Sequence, residues 1–272
     1  MSAAWERLVH HLDRPGEPEP DGPGILKGLT NGDLAVVVLR GLFPREEFEA
    51  NVQRVAPLFG QAATTQYSNG SLTTIGPFLA KHLAAVDAYF EEAAAAARLT
   101  SSIGFDLAAR TRARLAEVLG LDSFDAAVEP DGRRYAENNV RIYSDGVRTP
   151  LHNDNMMRDA AGTGLLLQNL RHHLSVVVCL QECEQGGELE IHRKRWAPED
   201  ESFKVVDGLG YDDAVTGGAP SHRFKPEAGD VYLLNPTHYH SIEAPLGTAD
   251  RVTMGFFFGF LDDALTDAIA WV

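Results

Sequence analysis

Apolar positions divide the chain into two textures. In the front half they recur every three or four residues, the period of an amphipathic helix. In the back half they form short runs broken by Gly, Pro and Asp, as strands do. Trp5, Leu8, Val9 and Leu12 predict a helix over 3–12. Residues 14–24 are rich in Pro, Gly and acid and read as a linker or surface loop. The run LAVVVL at 34–39 is β-branched and apolar throughout, which predicts a buried strand. Pro44 is well placed to open a helix reaching about Leu58. Two longer helices are predicted over 77–99, around an alanine run, and over 105–119, where Gly120 offers a C-cap. Beyond Ala136 strands are predicted at 139–143, 174–180, 188–193, 230–234 and 251–260.

These elements predict one domain over 1–272. A mostly helical flank with one or more strands fills 1–135, and a β-core, a sandwich or barrel that carries the chemistry, fills 136–272. The helices are expected to brace one face of that core. At 44 % hydrophobic residues the chain can build it. The formal net charge of −15 repels nucleic acid and anionic membrane, so neither is expected as a partner. No run of about 18 apolar residues is present to span a bilayer. The first residues carry acid and lack the apolar segment of a secretory signal, so a cytoplasmic location is expected. The two cysteines, Cys179 and Cys183, are too few for a disulfide framework and read as reduced core thiols.

The chemistry concentrates in Thr149-Pro150-Leu151-His152-Asn153-Asp154-Asn155. In an extended chain alternate side chains share a face, so His152 and Asp154 can point at one metal. Imidazole plus carboxylate begins the two-histidine, one-carboxylate triad that leaves positions open on iron(II). Taken alone, His-x-Asp is equally the sequence of a solvated turn. A strand at 230–234 and the turn Asn235-Pro236-Thr237 then lead to His238 and His240, either of which can return a ligand to the same ion. Arg251 lies eleven positions beyond His240 in an apolar strand, where a guanidinium needs an anionic partner. That partner is either an internal Asp or Glu or a bound carboxylate, which the guanidinium fork fits. Thr253, two residues on, shares its face. Arg141 and Tyr143 share a face of the strand before His152; Arg141 points either into the site or to a structural ion pair. Asn155, Met156, Met157 and Trp196 are candidates for the pocket rim or for ordinary packing. His192 stands at the pocket or on the surface, and the remaining histidines, His173 among them, read as surface or loop.

His-x-Asp, a long gap, then His with Arg about ten residues later resembles the iron(II)/2-oxoglutarate dioxygenase superfamily. The chain is most similar to the stand-alone halogenases of free indole alkaloids and their hydroxylase relatives. The likeness covers 34–44 and most of 139–272. It includes Val140-Arg141-Ile142, Gly186-Gly187-Glu188-Leu189-Glu190 with Trp196, and Ala228-Gly229-Asp230. It implies a mainly β fold with α, a double-stranded β-helix of the jelly-roll, cupin-like kind. It implies a metal site of His152, Asp154 and His240, the histidine chosen over His238 for its spacing to Arg251. It also implies iron(II), 2-oxoglutarate held by Arg251, Thr253 and Arg141, dioxygen, and a small-molecule substrate of secondary metabolism, a natural product or modified amino acid. In the halogenases a small residue replaces the metal carboxylate and chloride takes the vacant position. Asp154 fills that position here, so the expected reaction is hydroxylation of an unactivated C–H bond with release of succinate and carbon dioxide. The alternative is a cupin-like metal dioxygenase or hydrolase that does not use 2-oxoglutarate.

Overall fold

The two faces of each inner strand carry different residues, and that difference fixes the architecture. The structure, a computed structural model, describes residues 5–272. In chain order, β1 (Arg7–His11) precedes α1 (Gly22–Asn31), β2 (Val36–Arg40), α2 (Arg45–Val55), the hairpin β3 (Ala63–Tyr67) and β4 (Gly70–Ile75), α3 (Val86–Ser102), α4 (Leu107–Leu119) and β5 (Ser123–Ala126). There follow β6 (Asn139–Tyr143), β7 (Thr149–His152), the one-turn helix α5 (Met156–Asp159), β8 (His172–Gln181), β9 (Leu189–Arg195), β10 (Ser221–Phe224), β11 (Val231–Leu234), β12 (His238–Ile242), β13 (Arg251–Phe260) and β14 (Asp267–Trp271).

Eight strands form a double-stranded β-helix. The strands β6, β13, β8 and β11 lie side by side in the large sheet, and β7, β12, β9 and β10 form the small one. Apart from the β9–β10 hairpin, each strand from β6 to β13 crosses to the opposite sheet, and every ladder among them is antiparallel. The front half extends the large sheet at both ends. There β2 pairs with β11 and carries β1, while β4 pairs with β6 and carries β3.

Alternation along the large sheet separates a packed face from a chemical one. Leu174, Val176 and Val178 of β8, with Met254 and Phe258 of β13, share one core with Ile25, Leu29, Tyr89 and Leu115 of the helices. The intervening Ser175, Val177 and Thr253 line a cavity with residues of the small sheet. The helix α4 ends as expected, with Gly120 left-handed at φ 67°. Both cysteines are buried and free. No helix among the described residues is long and apolar enough to cross a membrane.

Three expectations change. Residues 7–11 form a strand, not a helix, pairing in parallel with β2; residues 1–4 of the expected helix lie outside the described residues. The helical spacing has a different origin. Trp5 and Val9 pack into the inner cluster while Leu8 and Leu12 pack against the outer core, so a strand apolar on both faces reproduces the period. The linker at 14–24 gives way at Gly22 to α1, which Asp21 caps by accepting from Gly24 N–H at 3.1 Å and Gly32 closes at φ 79°. The helix expected over 77–99 starts only at Val86, because Leu79 N–H is drawn to the Val272 carbonyl at 3.0 Å and a short 3-10 turn intervenes.

Phe258 is fully buried, 5.1 Å from the Phe124 ring between centroids. Phe258→Ala is expected to destabilise the fold by about 3–5 kcal/mol, read from the urea midpoint at unchanged slope. A loss near zero would remove this residue from the core.

Candidate metal centre

Within the small sheet, β7 and β12 place His152 directly opposite His240. Facing residues on one side of an antiparallel pair are in contact, and the two imidazoles lie 4.3 Å apart between centroids, tilted by 48°. The register shifts on either side of His240, an irregularity of the kind that re-aims a side chain. After His152 the chain turns, and Asp154 N–H donates to the Pro236 carbonyl at 2.9 Å. That bond brings the Asp154 Oδ2 atom 3.9 Å from Nε2 of His152 and 3.7 Å from Nε2 of His240. One donor atom from each of the three residues lies within 4.8 Å of the others. Donors about 2 Å from a shared ion stand roughly 3–4 Å apart. A loop tightens β7 from outside: Tyr211 N–H donates to the Leu151 carbonyl at 2.8 Å. Gly210 approaches there so closely that a Cβ would meet that carbonyl at 2.0 Å.

Proton positions follow from the partners. Nδ1 of His152 donates to the Pro150 carbonyl at 2.8 Å, and Nδ1 of His240 to the His238 carbonyl at 2.9 Å. A carbonyl only accepts, so each Nδ1 carries the proton and each Nε2 lone pair faces the site. Burial, with His152 alongside, pushes His240 down to about 3, so it is neutral at physiological pH. Burial opposes ionisation of Asp154, but the imidazoles of His152 and His240 and the Arg141 guanidinium outweigh it and hold the carboxyl below its usual range. Two imidazoles that offer Nε2 and one carboxylate are a ligand set for a divalent first-row metal.

Arg251 begins β13 and is 2 % exposed. Its Nη2 donates to the Tyr232 hydroxyl at 3.0 Å, and its guanidinium lies 4.8 Å over the Tyr143 ring. Nε and Nη1 are buried without a partner among the described residues, where the arginine enters no ion pair. The internal Asp or Glu that could have explained it is therefore not there. Each buried, unpaired donor costs on the order of 1–3 kcal/mol until an acceptor arrives. Gly187 makes room for this side chain: at φ 75°, a Cβ there would fall 2.9 Å from Arg251 Cδ. Thr253 is buried two residues on, paired in register with Arg141.

Two cavities meet at His152 and Asp154, and His240 lines the inner one. The inner one lies between the sheets and is lined by Tyr143, Ser175, Val177, Tyr232 and Thr253. The outer one is walled by Tyr67, Leu72, Phe78, Lys81, Met156 and His173. Arg141, Thr149, His152, Asp154 and Phe257 line both.

His173 corrects the surface-or-loop expectation. It is 2 % exposed, on the inward register of β8, with its ring 4.9 Å from Phe257 and 5.1 Å from Trp271. Its Nδ1 accepts from Met156 N–H at 3.3 Å, so Nε2 carries the proton, and that atom is buried without a partner. Burial lowers its pKa to about 4, leaving it neutral. A polar residue two before Ser175 in an apolar strand was the readable signal. His238 stays outside the triad: its ring stacks on Trp5 at 5.4 Å and receives a hydrogen bond from Arg195 Nε at 3.1 Å. His192 lines a separate groove with Glu190 and Arg223. Trp196 stacks under Arg158 and bonds Glu201, away from both cavities, and Met157 packs against the outer core. Asn155 and Met156 do line the outer cavity.

The model of the family described as carrier-protein-independent halogenase WelO5 matches residues 17–266. A curated relative, leucinostatins biosynthesis cluster protein S of Purpureocillium lilacinum, is 25 % identical over 216 residues, covering 77 % of this chain and 82 % of that protein. Among solved structures, an N-substituted L-amino acid dioxygenase of Burkholderia ambifaria AMMD in complex with α-ketoglutarate aligns over 92 % of this chain and 90 % of its own, at 16 % identity and a TM-score of 0.57. The α-ketoglutarate-dependent epimerase SnoN of nogalamycin biosynthesis aligns over 89 % and 90 %, at 16 % identity and a TM-score of 0.53. The two structures share the fold and the family model spans nearly the whole chain, so the chain belongs to the WelO5 family of carrier-protein-independent halogenases, within the iron(II)/2-oxoglutarate-dependent oxygenase superfamily.

Proposed function

We propose that this chain is an iron(II)- and 2-oxoglutarate-dependent oxygenase that hydroxylates an unactivated C–H bond of a small molecule, its residues 1–272 acting as one domain. The observation that carries the reading is Asp154, a carboxylate 3.7 Å and 3.9 Å from two histidine nitrogens whose lone pairs face it. With His152, Asp154 and His240 as ligands and 2-oxoglutarate bound, iron(II) would keep room for dioxygen and none for chloride. Family membership alone would argue for halogenation; this side chain argues for hydroxylation.

His152, Asp154 and His240 would hold iron(II), and Arg251 with Thr253 would hold the far carboxylate of 2-oxoglutarate. Bound together, these cofactors supply an oxidant made from dioxygen that is strong enough to break an unactivated C–H bond. The rest is the work of side chains. The Nδ1 bonds to Pro150 and His238 keep both imidazoles aimed at one point. Tyr232 and Tyr143 fix the Arg251 guanidinium, so its two free donors are pre-arranged for a carboxylate. The apolar wall of Tyr67, Phe78 and Phe257 keeps water from the reacting carbon. A reading without 2-oxoglutarate leaves those two Arg251 donors unpaired. The leucinostatins relative and the N-substituted amino acid dioxygenase support a natural product or modified amino acid as substrate.

Anaerobic titration of iron(II) into the apo-protein with 2-oxoglutarate tests the reading directly. Wild type is expected to give the weak visible charge-transfer band of the chelate, and His152→Ala and His240→Ala to lose both band and iron. Full iron binding in either variant would sink the triad. Arg251→Ala is expected to raise the apparent KM for 2-oxoglutarate about 100-fold, the loss of two charge-assisted bonds of about 1.5 kcal/mol each; an unchanged KM removes Arg251 from this role. In Asp154→Gly the absorption band is expected to become chloride-dependent, and a spectrum indifferent to chloride would refute the vacancy argument.

A further inference from the structure

Most arginines of this acidic chain that the structure describes stand beside a carboxylate. Arg40 pairs with Asp230 at 3.1 Å, Arg158 with Asp159 at 2.6 Å, and Arg223 with Glu190 at 2.7 Å. Arg141 is different. It lines both cavities and enters no ion pair among the described residues. It lies near enough to Tyr67, on the outer wall, to oppose the rise that burial imposes on that hydroxyl.

We propose that the substrate is an anion, a small apolar molecule bearing a carboxylate that Arg141 binds in the outer cavity. The inference rests on the iron(II)/2-oxoglutarate reading and follows from the charges that reading assembles. Divalent iron, the Asp154 carboxylate, doubly charged 2-oxoglutarate and the Arg251 guanidinium cancel. Arg141 is left over, half-buried on the wall of both cavities beside a neutral centre and free to take an anionic partner. The guanidinium fork takes a carboxylate through two parallel bonds.

The rest of the outer wall agrees. The exposed Lys81 Nζ donates to the Thr65 hydroxyl at 3.3 Å and enters no ion pair among the described residues. The Nε2–H of His173 has no acceptor among the described residues. The Asn155 side-chain oxygen is used in capping α5, by accepting from Arg158 N–H at 3.2 Å, which leaves its amide N–H groups free. Asp159 is neutralised by Arg158. With Asp154 reserved for the metal, the free polar groups of the wall are donors. The remaining wall, with Tyr67, Leu72, Phe78, Leu209 and Phe257, is apolar or aromatic and fits an apolar body. In a protein of formal charge −15 this is a local positive field, and its low-dielectric walls focus it on an entering anion.

The test is calorimetry on the anaerobic protein with iron(II) and 2-oxoglutarate, titrated with a panel of aryl and alkyl carboxylates, each beside its primary amide. At least one acid is expected to bind, its amide roughly tenfold or more weakly, and Arg141→Gln is expected to abolish the preference while keeping the charge-transfer band of the chelate. Three outcomes overturn the proposal: amides that bind as well as their acids, a preference that survives in Arg141→Gln, or a panel in which nothing binds. Loss of the band in Arg141→Gln assigns the arginine to 2-oxoglutarate and overturns it as well. Absence of the band in wild type strikes the cofactor reading instead, while the acid–amide comparison still decides the charge of the ligand.

Discussion

The register between β7 and β12 is the constraint on which the site depends. Side chains alternate with period two, so a slip of one residue would turn Tyr239 toward the metal position and His240 away from it. Tyr239 prevents the slip. On the outer face of the small sheet its ring packs edge-on against Tyr211 at 5.2 Å, and its hydroxyl donates to Asp200 at 3.1 Å. Asp200 is itself held by Lys194 at 2.7 Å. Leu151, Tyr211, Val215 and Tyr239 form a small cluster of their own, apart from the main core. The loop beyond β9 therefore has a task that its distance from the cavities conceals: it fixes from behind the strand pair that presents the two imidazoles.

The fold was legible where burial differs between faces. The strands β6 and β13 were readable to the residue because each is rich in β-branched and aromatic residues and is bounded by polar or turn-forming residues. Legibility failed where both faces of a short strand are covered, as in β1, whose apolar positions mimic a helix. It failed differently at α1, whose markers were present: Asp21 before Pro23, and Gly32 after the last turn. A Pro- and Gly-rich approach masked them. The β3–β4 hairpin has mostly half-exposed side chains and no apolar alternation, so nothing in its pattern announced a strand pair. Yet this hairpin supplies Tyr67 and Leu72 to the outer cavity.

The candidate site divides along the same line. His152, Asp154, His240, Arg251, Thr253 and Arg141 were singled out by residue type and spacing; five of them line the inner cavity, and Arg251 lies against Tyr143 and Tyr232 of its wall. His173 carries its meaning only in register. In the pair at 172–173 the spacing puts His173 on the face of Ser175, but it does not say which face is the inner one. In the structure His172 reaches Asp263 on the surface at 2.9 Å while His173 turns inward. Residues that bind by chemistry can be found by motif. Those that shape the cavity depend on which way a strand faces, and a two-residue period decides that only when its neighbours are already placed.

Family membership and the proposed chemistry part company at one side chain. The family is described by halogenation, and the fold it shares hosts dioxygenases and an epimerase alike, so the reaction has to be argued from the site. Asp154 and a chloride ion would be electrostatic equivalents beside iron, since each carries one negative charge. The difference is attachment. The Asp154 carboxylate is tethered two residues from His152, and its backbone N–H is fixed to Pro236. As a metal ligand it would hold its position without the entropy loss of capturing a free ion. On the reading proposed above, charge balance permits both reactions on this scaffold, and the tether argues for hydroxylation.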